Sequence, residues 1–261
     1  MTNKTQLAES LGVSRRSLYY TPKQEAKDWH TKQLIETALQ QHPAYGHKRL
    51  AKHLSINKKR VRRVMKIYGI KPYRRTTKPK KTNRSKGSVF PNLLIFETPQ
   101  GRGDIWASDF TYLKFQGTWW YVATVLDVYT REIVGWSVMN NHSTQLVMNA
   151  LCHALHNHPL PRIIHSDQGS EYTSRSYTTL VHSLGIQQSM STAGCPWENG
   201  YQESFYKGFK LDLGDPNRFE TLGELVAEIY QTINYYNRLR IHTALGMSPR
   251  QFARKMELYY N

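Results

Sequence analysis

The chain changes its hydrophobic rhythm near residue 100. Before that point, apolar residues recur at helical spacing. In residues 5–20, Leu7, Ala8 and Leu11 share one helical face, Gly12 can end that helix with positive φ, and Ser14 is placed to cap a second short one. Residues 25–42 carry Trp29, Leu34, Ile35, Ala38 and Leu39 at helical intervals. Residues 48–54 predict a short helix with Leu50 and Leu54 inward. A tight turn at 55–57 follows, with Asn57 as N-cap, and then a helix over 58–68. Val61, Val64, Met65 and Tyr68 fall at i, i+3, i+4 and i+7 and form its buried stripe; Gly69 closes it and Pro72 keeps it closed. Two short helices across a tight turn, the second one basic, predict a helix-turn-helix unit.

After residue 100 the texture becomes aromatic and β-branched. DIWASDFTYLKF alternates as a strand, Gln116-Gly117 turns the chain, and TWWYVATVLDVYT and REIVGWSVMN predict two more strands of an antiparallel meander. STQLVMNALCHALHNH reads as a helix stopped by Pro159 and Pro161. RIIHSD is a short buried strand, SYTTLVHSLG a helix closed by Gly185, and IQQSMS a fifth strand. The loop TAGCPWENG leads to a helix over about 201–213, and a longer one, LGELVAEIYQTINYYNRLR, follows. The order β-β-β-α-β-α-β-α predicts an α/β fold. Its mixed five-stranded sheet with flanking helices resembles the RNase H-like arrangement, and small all-α helix-turn-helix modules precede it.

Charge sharpens this division. The formal net charge is +17, but residues 1–90 hold 23 Lys+Arg against 4 Asp+Glu, and residues 91–261 hold 13 against 15. Such asymmetry points to a module that binds a polyanion, chiefly nucleic acid. Two other readings are an anionic lipid surface, which the lack of a large apolar face disfavours, and a helical bundle with a solvated basic face. Residues 74–90 have linker composition. The expected organisation is a short helix-turn-helix-like segment at 1–22, a basic DNA-binding module at 23–75, a basic linker at 76–100 and a catalytic core with C-terminal helices at 101–261. No run approaches the roughly 20 apolar residues of a membrane helix, and the N-terminus lacks a secretory pattern. Cys152 and Cys195 have no metal-ligand spacing, so two reduced thiols in a cytoplasmic protein are expected.

Three acids stand where chemistry would want them. Asp109 lies inside an otherwise apolar and aromatic strand, which is costly unless the acid is paired or metal-bound. Asp167 ends a strand before Gln168-Gly169-Ser170, and Glu203 lies in the first turn of a helix. On that helix Glu203, Lys207 and Lys210 share one side, with Phe205 and Phe209 roughly opposite. Carboxylates suit hard cations, and two Mg²⁺ or Mn²⁺ ions about 3.5–4 Å apart can drive phosphoryl transfer on DNA with no covalent intermediate.

The spacing adds to this: 57 residues separate Asp109 from Asp167, 35 separate Asp167 from Glu203, and Lys210 follows seven positions later. The pattern resembles the integrase superfamily of retroviral integrases and bacterial transposases. The segments WASDFTY at 106–112, HSDQGSEY at 165–172, ENGYQESF at 198–205, YNRLRIH at 236–242 and YGHKRL at 45–50 resemble the second-frame (OrfB-type) transposases of bacterial insertion sequences. Glu198 and Gly200 depart from that pattern, which usually has Asp and Ala there, and neither is a catalytic acid.

This resemblance implies that Asp109, Asp167 and Glu203 are metal ligands in a DDE transposase that cuts and joins DNA. It implies that Lys210, with Lys207, contacts DNA near the cut end. The basic module adds Lys48, Arg49, Lys58, Lys59, Arg60, Arg62 and Arg63 as DNA-binding candidates. Weaker site candidates are His165, equally readable as a sheet residue, Asn199, equally readable as a helix cap, Arg240 and His242. The implied partners are double-stranded DNA (terminal inverted repeats and target), further copies of the chain, and an upstream-frame (OrfA-type) protein. Two rival functions are an RNase H-like nuclease that does not join, and a DNA-binding regulator with an inactive core.

Overall fold

The computed structural model describes residues 4–19, 23–74, 90–192 and 195–260. The basic linker expected at 76–100 lies outside them as far as residue 89. Two compact units divide the chain, residues 1–73 and residues 74–261.

In the first unit, α1 (Lys4–Ser10) leads through Gly12, at φ +63°, to a 3₁₀ turn (Arg15–Tyr19), where the Ser17 N–H donates to Ser14 Oγ. Three helices follow: α2 (Lys23–Gln41), α3 (His47–His53) and α4 (Lys58–Ile67). Ile35, Leu50, Val61 and Val64 are fully buried between them, and Met65 and Tyr68 are half-buried at the margin. The α3–α4 turn forms as expected: Asn57 Oδ1 accepts the Lys59 N–H at 2.8 Å, and Gly69 ends α4 with φ +65°. Trp29 departs from its expected burial. It is 51% exposed, with Lys32 Nζ 4.6 Å above its ring and Tyr68 edge-on.

In the second unit, β1 (Ile105–Phe115), β2 (Thr118–Asp127) and β3 (Ile133–Met139) form the antiparallel meander. Gln116 and Gly117 turn it with positive φ. Then come α5 (Thr144–Asn157), β4 (Ile163–Ser166), α6 (Ser170–Thr173), α7 (Arg175–Ser183), β5 (Gln187–Met190), α8 (Gly200–Leu213), α9 (Leu222–Arg238) and α10 (Pro249–Tyr260). The strand order is β3-β2-β1-β4-β5, with β4 parallel to both neighbours. This is the expected mixed five-stranded sheet.

Each sheet face carries its own core. One gathers Trp106, Val125, Leu146, Ala150, Tyr172 and Val181 under α5 and α7; the other gathers Leu113, Val122, Phe205, Phe209, Ile229 and Tyr236 under α8 and α9. Gly135 lets α5 approach β3, since a Cβ there would lie 2.3 Å from the Ala150 carbonyl. A capping box between Thr221 and Glu224 starts α9.

One feature of the sheet prepares the site. β4 pairs with β1 only over Ile105–Ala107. From Ser108 onward that edge of β1 has no strand beside it, and α8 crosses the adjoining face of β1 and β2. Gln202 Nε2 donates to Ala107 O at 2.6 Å, Tyr206 OH to Asp109 O at 2.6 Å, and Asn199 Nδ2 to Ser108 O at 3.5 Å. These residues recur at i, i+3 and i+7, so one stripe of α8 and the residue before it is tied to β1: Asn199 reaches Ser108 O on the side that β4 leaves open, whereas Gln202 and Tyr206 add to carbonyls of the β1–β2 ladder and also bond Thr124 and Val122 of β2.

Candidate active site

Asp109 stands on this open edge of β1. Its Oδ1 accepts the Phe110 N–H at 2.8 Å. Burial and then the nearby Asp167 carboxylate push its pKa up to about 8, against the pull of that N–H and of the Lys210 ammonium. Asp167 follows β4 directly. Partial desolvation raises it too, and Glu171 adds to the rise, while the Gly169 N–H, 3.0 Å from Asp167 Oδ1, opposes it. The structure thus brings Asp109 and Asp167 into electrostatic range, with Lys210 nearby to offset them.

Glu203 is exposed in the first turn of α8, between the anchoring Gln202 and Tyr206. The helix is fixed to the strand that carries Asp109, so the third acid is on the same element that borders the pair. It does not close on the other two. Among the described residues, no three His, Cys, Asp or Glu side chains converge closely enough to hold an ion. The Asp109–Asp167 pair fits a hard divalent cation, since two mutually repelling oxygen donors are what such an ion relieves; a third ligand from Glu203 needs its exposed side chain to swing inward.

The lysines of α8 follow the expected geometry. Lys207 is exposed, and Lys210 lays its Nζ 4.6 Å from the centroid of Tyr112 while reaching Asp109 electrostatically. Phe205 and Phe209 are buried on the opposite side.

The weaker candidates have structural duties. His165 is fully buried, its Nδ1 bonds Ser189 Oγ at 2.8 Å, and burial lowers its pKa to about 4. It is a neutral sheet residue. Asn199 does not cap α8 through its side chain, which turns instead to the β1 backbone, so the capping reading is corrected. Arg240 is buried against Asp212 at 2.5 Å, directly over Gly208. His242 is half-buried in a turn where its N–H donates to Met247 O. Glu198 clips the loop before α8, accepting from Asn92 Nδ2 and the Thr192 N–H.

In the first unit, Arg63 holds buried Asp28 at 2.5 Å and Arg60 donates to Lys27 O. Both serve α2–α4 packing; of the remaining candidates Lys48, Lys58, Lys59 and Arg62 are exposed and Arg49 is half-buried over Tyr45.

Sequence reasoning missed Glu171 and His142. Glu171 is buried, and its Oε1 lies 2.6 Å from His142 Nδ1. A Cβ on Gly169 would sit 2.9 Å from Glu171 Oε2 and 3.0 Å from Asp167 Oδ1, so this glycine keeps the two carboxylates apart without filling the gap. The signal was an acid inside the quoted HSDQGSEY segment; its histidine partner, 29 positions away, had none.

Two integrase core domain models match the chain, over residues 99–196 and 184–249. The transposase for insertion sequence element IS904 of Lactococcus lactis is 37% identical over 220 residues, which cover 80% of this chain and 87% of that one. A 31 kDa protein of insertion element IS600 of Shigella sonnei is 31% identical, over 95% of this chain and 98% of its own. Among solved structures, the simian T-cell lymphotropic virus intasome aligns with 84% of this chain and 74% of its own at a TM-score of 0.53 and 15% identity. The HTLV-2 integrase catalytic core aligns with 60% of this chain and 99% of its own at 0.50 and 17%. These last two likenesses speak for the RNase H-like integrase fold alone. No described helix is long and apolar enough to cross a membrane. The protein therefore belongs to the insertion-sequence transposases with an integrase core domain: it is a DNA transposase, a polynucleotidyl transferase.

Proposed function

We propose that Asp109, Asp167 and Glu203 are the carboxylates through which this transposase cuts and joins its element. The observation that carries the reading is the raised pKa of Asp109 beside Asp167, on an open sheet edge next to Lys210. Two acids held together at such a cost are characteristic of functional sites. Mg²⁺ or Mn²⁺, two ions per site, is the cofactor that fits these donors, and the HTLV-2 core was solved in complex with magnesium. When bound, the metal supplies Lewis-acid activation and neutralises charge at the phosphodiester. The chain's own residues do the rest: α8 carries Glu203 to the edge of the pair, and Lys210 and Lys207 hold a phosphate beside it.

The DNA partners in this reading are the element's terminal inverted repeats and the target duplex. The basic module, residues 23–75, grips DNA through Lys48, Arg49, Lys58, Lys59 and Arg62, with Arg60 and Arg63 shaping the surface. The short segment at 1–22, the linker at 76–100 and the core at 101–261 complete the organisation. Further copies of the chain assemble on the DNA, an upstream-frame protein joins them as fusion or partner, and the work is done in the cytoplasm. The test is nicking of supercoiled plasmid with Mn²⁺. Wild type should nick and Asp167→Asn should not, while both bind DNA alike. Nicking by Asp167→Asn would remove the metal-carboxylate assignment.

A further inference from the structure

The strand that carries Asp109 also carries an aromatic face with no assigned role. Phe110, Tyr112 and Lys114 project from one side of β1, because alternate residues share a face. The register places Trp119 opposite Lys114 and Tyr121 opposite Tyr112. The rings fall in two groups, Phe110–Tyr121 at 6.3 Å with Tyr121–His142 at 5.1 Å, and Tyr112–Trp119 edge-on at 5.2 Å. The other face of the hairpin, with Leu113, Phe115 and Val122, is buried under α8 and α9.

Phe110 and Tyr121 sit at the margin of the α5 core, whereas the strip opens toward the hairpin tip, where Trp119 is 46% exposed. Two cations edge this open part. Lys210 Nζ is 4.6 Å from the Tyr112 centroid and Lys114 Nζ 5.9 Å from that of Trp119. The tip is held rigidly. The Gln116 N–H donates to Asn217 Oδ1 at 2.8 Å, and Gln116 Nε2 to Glu220 O at 2.8 Å.

We propose that Tyr112 and Trp119, edged by Lys114 and Lys210, bind unpaired nucleotides of the DNA strand leaving the active site. Two observations select this occupant. An exposed indole beside a half-buried phenol on a pinned hairpin offers stacking faces, which a base can use only when it is outside a duplex. The two ammonium groups supply charge complementary to the connecting phosphates. The strip lies on the face of β1 opposite Asp109 and meets the site at the strand edge through Lys210, whose ammonium neighbours Tyr112 and acts on Asp109. From Phe110 to Lys114 it runs about 14 Å, at about 3.4 Å per strand residue, enough for a few stacked bases. It deepens the active-site reading and rests on it for the origin of the strand.

The test is binding to the full chain in EDTA, so that metal at the carboxylates plays no part. The probes are fluorescein-labelled oligothymidylate and a blunt duplex of the same length. Trp119→Leu keeps an apolar side chain and removes the stacking face; it should weaken oligothymidylate binding about ten-fold and leave the duplex within roughly two-fold. Trp119→Phe should recover most of the loss, which a folding defect would not allow. Unchanged oligothymidylate affinity, or equal losses on both probes, would overturn the proposal. So would a drop in molar mass by light scattering with DNA binding intact, which would make the strip a contact between copies. Nicking by Asp167→Asn alongside a selective Trp119→Leu defect would defeat the active-site reading and leave the strip standing.

Discussion

Asp109→Asn should make the metal-free protein more stable, and increasingly so as pH rises. The ordinary carboxyl pKa is 3.8, and in the fold burial and Asp167 lift that of Asp109 to about 8. Below the lower value both folded and unfolded chains hold the proton, and nothing is lost. Between the two, the unfolded chain has released a proton that the folded one keeps. Stability therefore falls with pH at up to about 1.36 kcal/mol per unit and levels off above about pH 8. At pH 7 the ceiling is about 4 kcal/mol, and water reaching the partly exposed carboxylate reduces it to roughly 2–3 kcal/mol. Asparagine keeps the acceptor for the Phe110 N–H and carries no charge. For a unit of this size each kcal/mol moves the Tm by about 2–4 °C, so the variant should melt about 4–12 °C higher at pH 7 in EDTA. The gap should shrink at pH 5 and widen toward pH 8. Calorimetry or circular dichroism across that range checks it. A variant that melts at or below wild type at pH 8 in EDTA would refute the account of Asp109 as a strained acid. Adding Mg²⁺ should then raise the Tm of wild type and leave the variant unmoved.

Arg62→Ala should weaken duplex binding and lower the salt slope by about 0.9, whereas Arg63→Ala should mainly lower the melting temperature of the first unit by uncovering buried Asp28; filter binding and thermal melts separate the two. Gly135→Ala would force a Cβ to 2.3 Å from the Ala150 carbonyl, so α5 must move off β3, and soluble yield should collapse. Gln202→Leu removes the buried bonds to Ala107 O, Thr124 O and Thr124 Oγ1 and should cost about 1–3 kcal/mol in urea unfolding, with loss of nicking because α8 loses an anchor.

Periodicity made the meander, α4 and α8 legible, because each buries one face and its apolar residues recur at that face's period. α6 was not legible: it is four residues long, too short to show a period. Trp29 sat at helical spacing and is still exposed, because periodicity identifies a face and cannot say whether a neighbour covers it. Asp109 and Asp167 were legible from their setting and spacing. The division of labour among the cations of α4 was not, since Arg62 and Arg63 are identical in sequence terms and differ only in that one meets Asp28. Asn199 failed as a cap for a related reason. A residue just before a helix has two possible customers, its own backbone or a neighbouring strand, and only the open edge of β1 decides between them.

That edge accounts for why the site lies where it does. A short β4 leaves the β1 backbone from Ser108 onward without a strand partner on one side, and unpaired peptide groups in a sheet must be satisfied or hydrated. Asn199, just before α8, meets one of them at Ser108 O, and Gln202 and Tyr206 hold the helix across the face of β1 and β2. A longer β4 would take Ser108 O from Asn199 and loosen the start of the helix that carries Glu203 and Lys210. The same truncation ends β4 at Ser166, so Asp167 enters a turn next to Asp109 in place of pairing along it. Lengthening β4 by residues that extend its ladder should thus abolish nicking while raising thermal stability. A stabilised, fully active chain would show that the open edge is incidental to the chemistry.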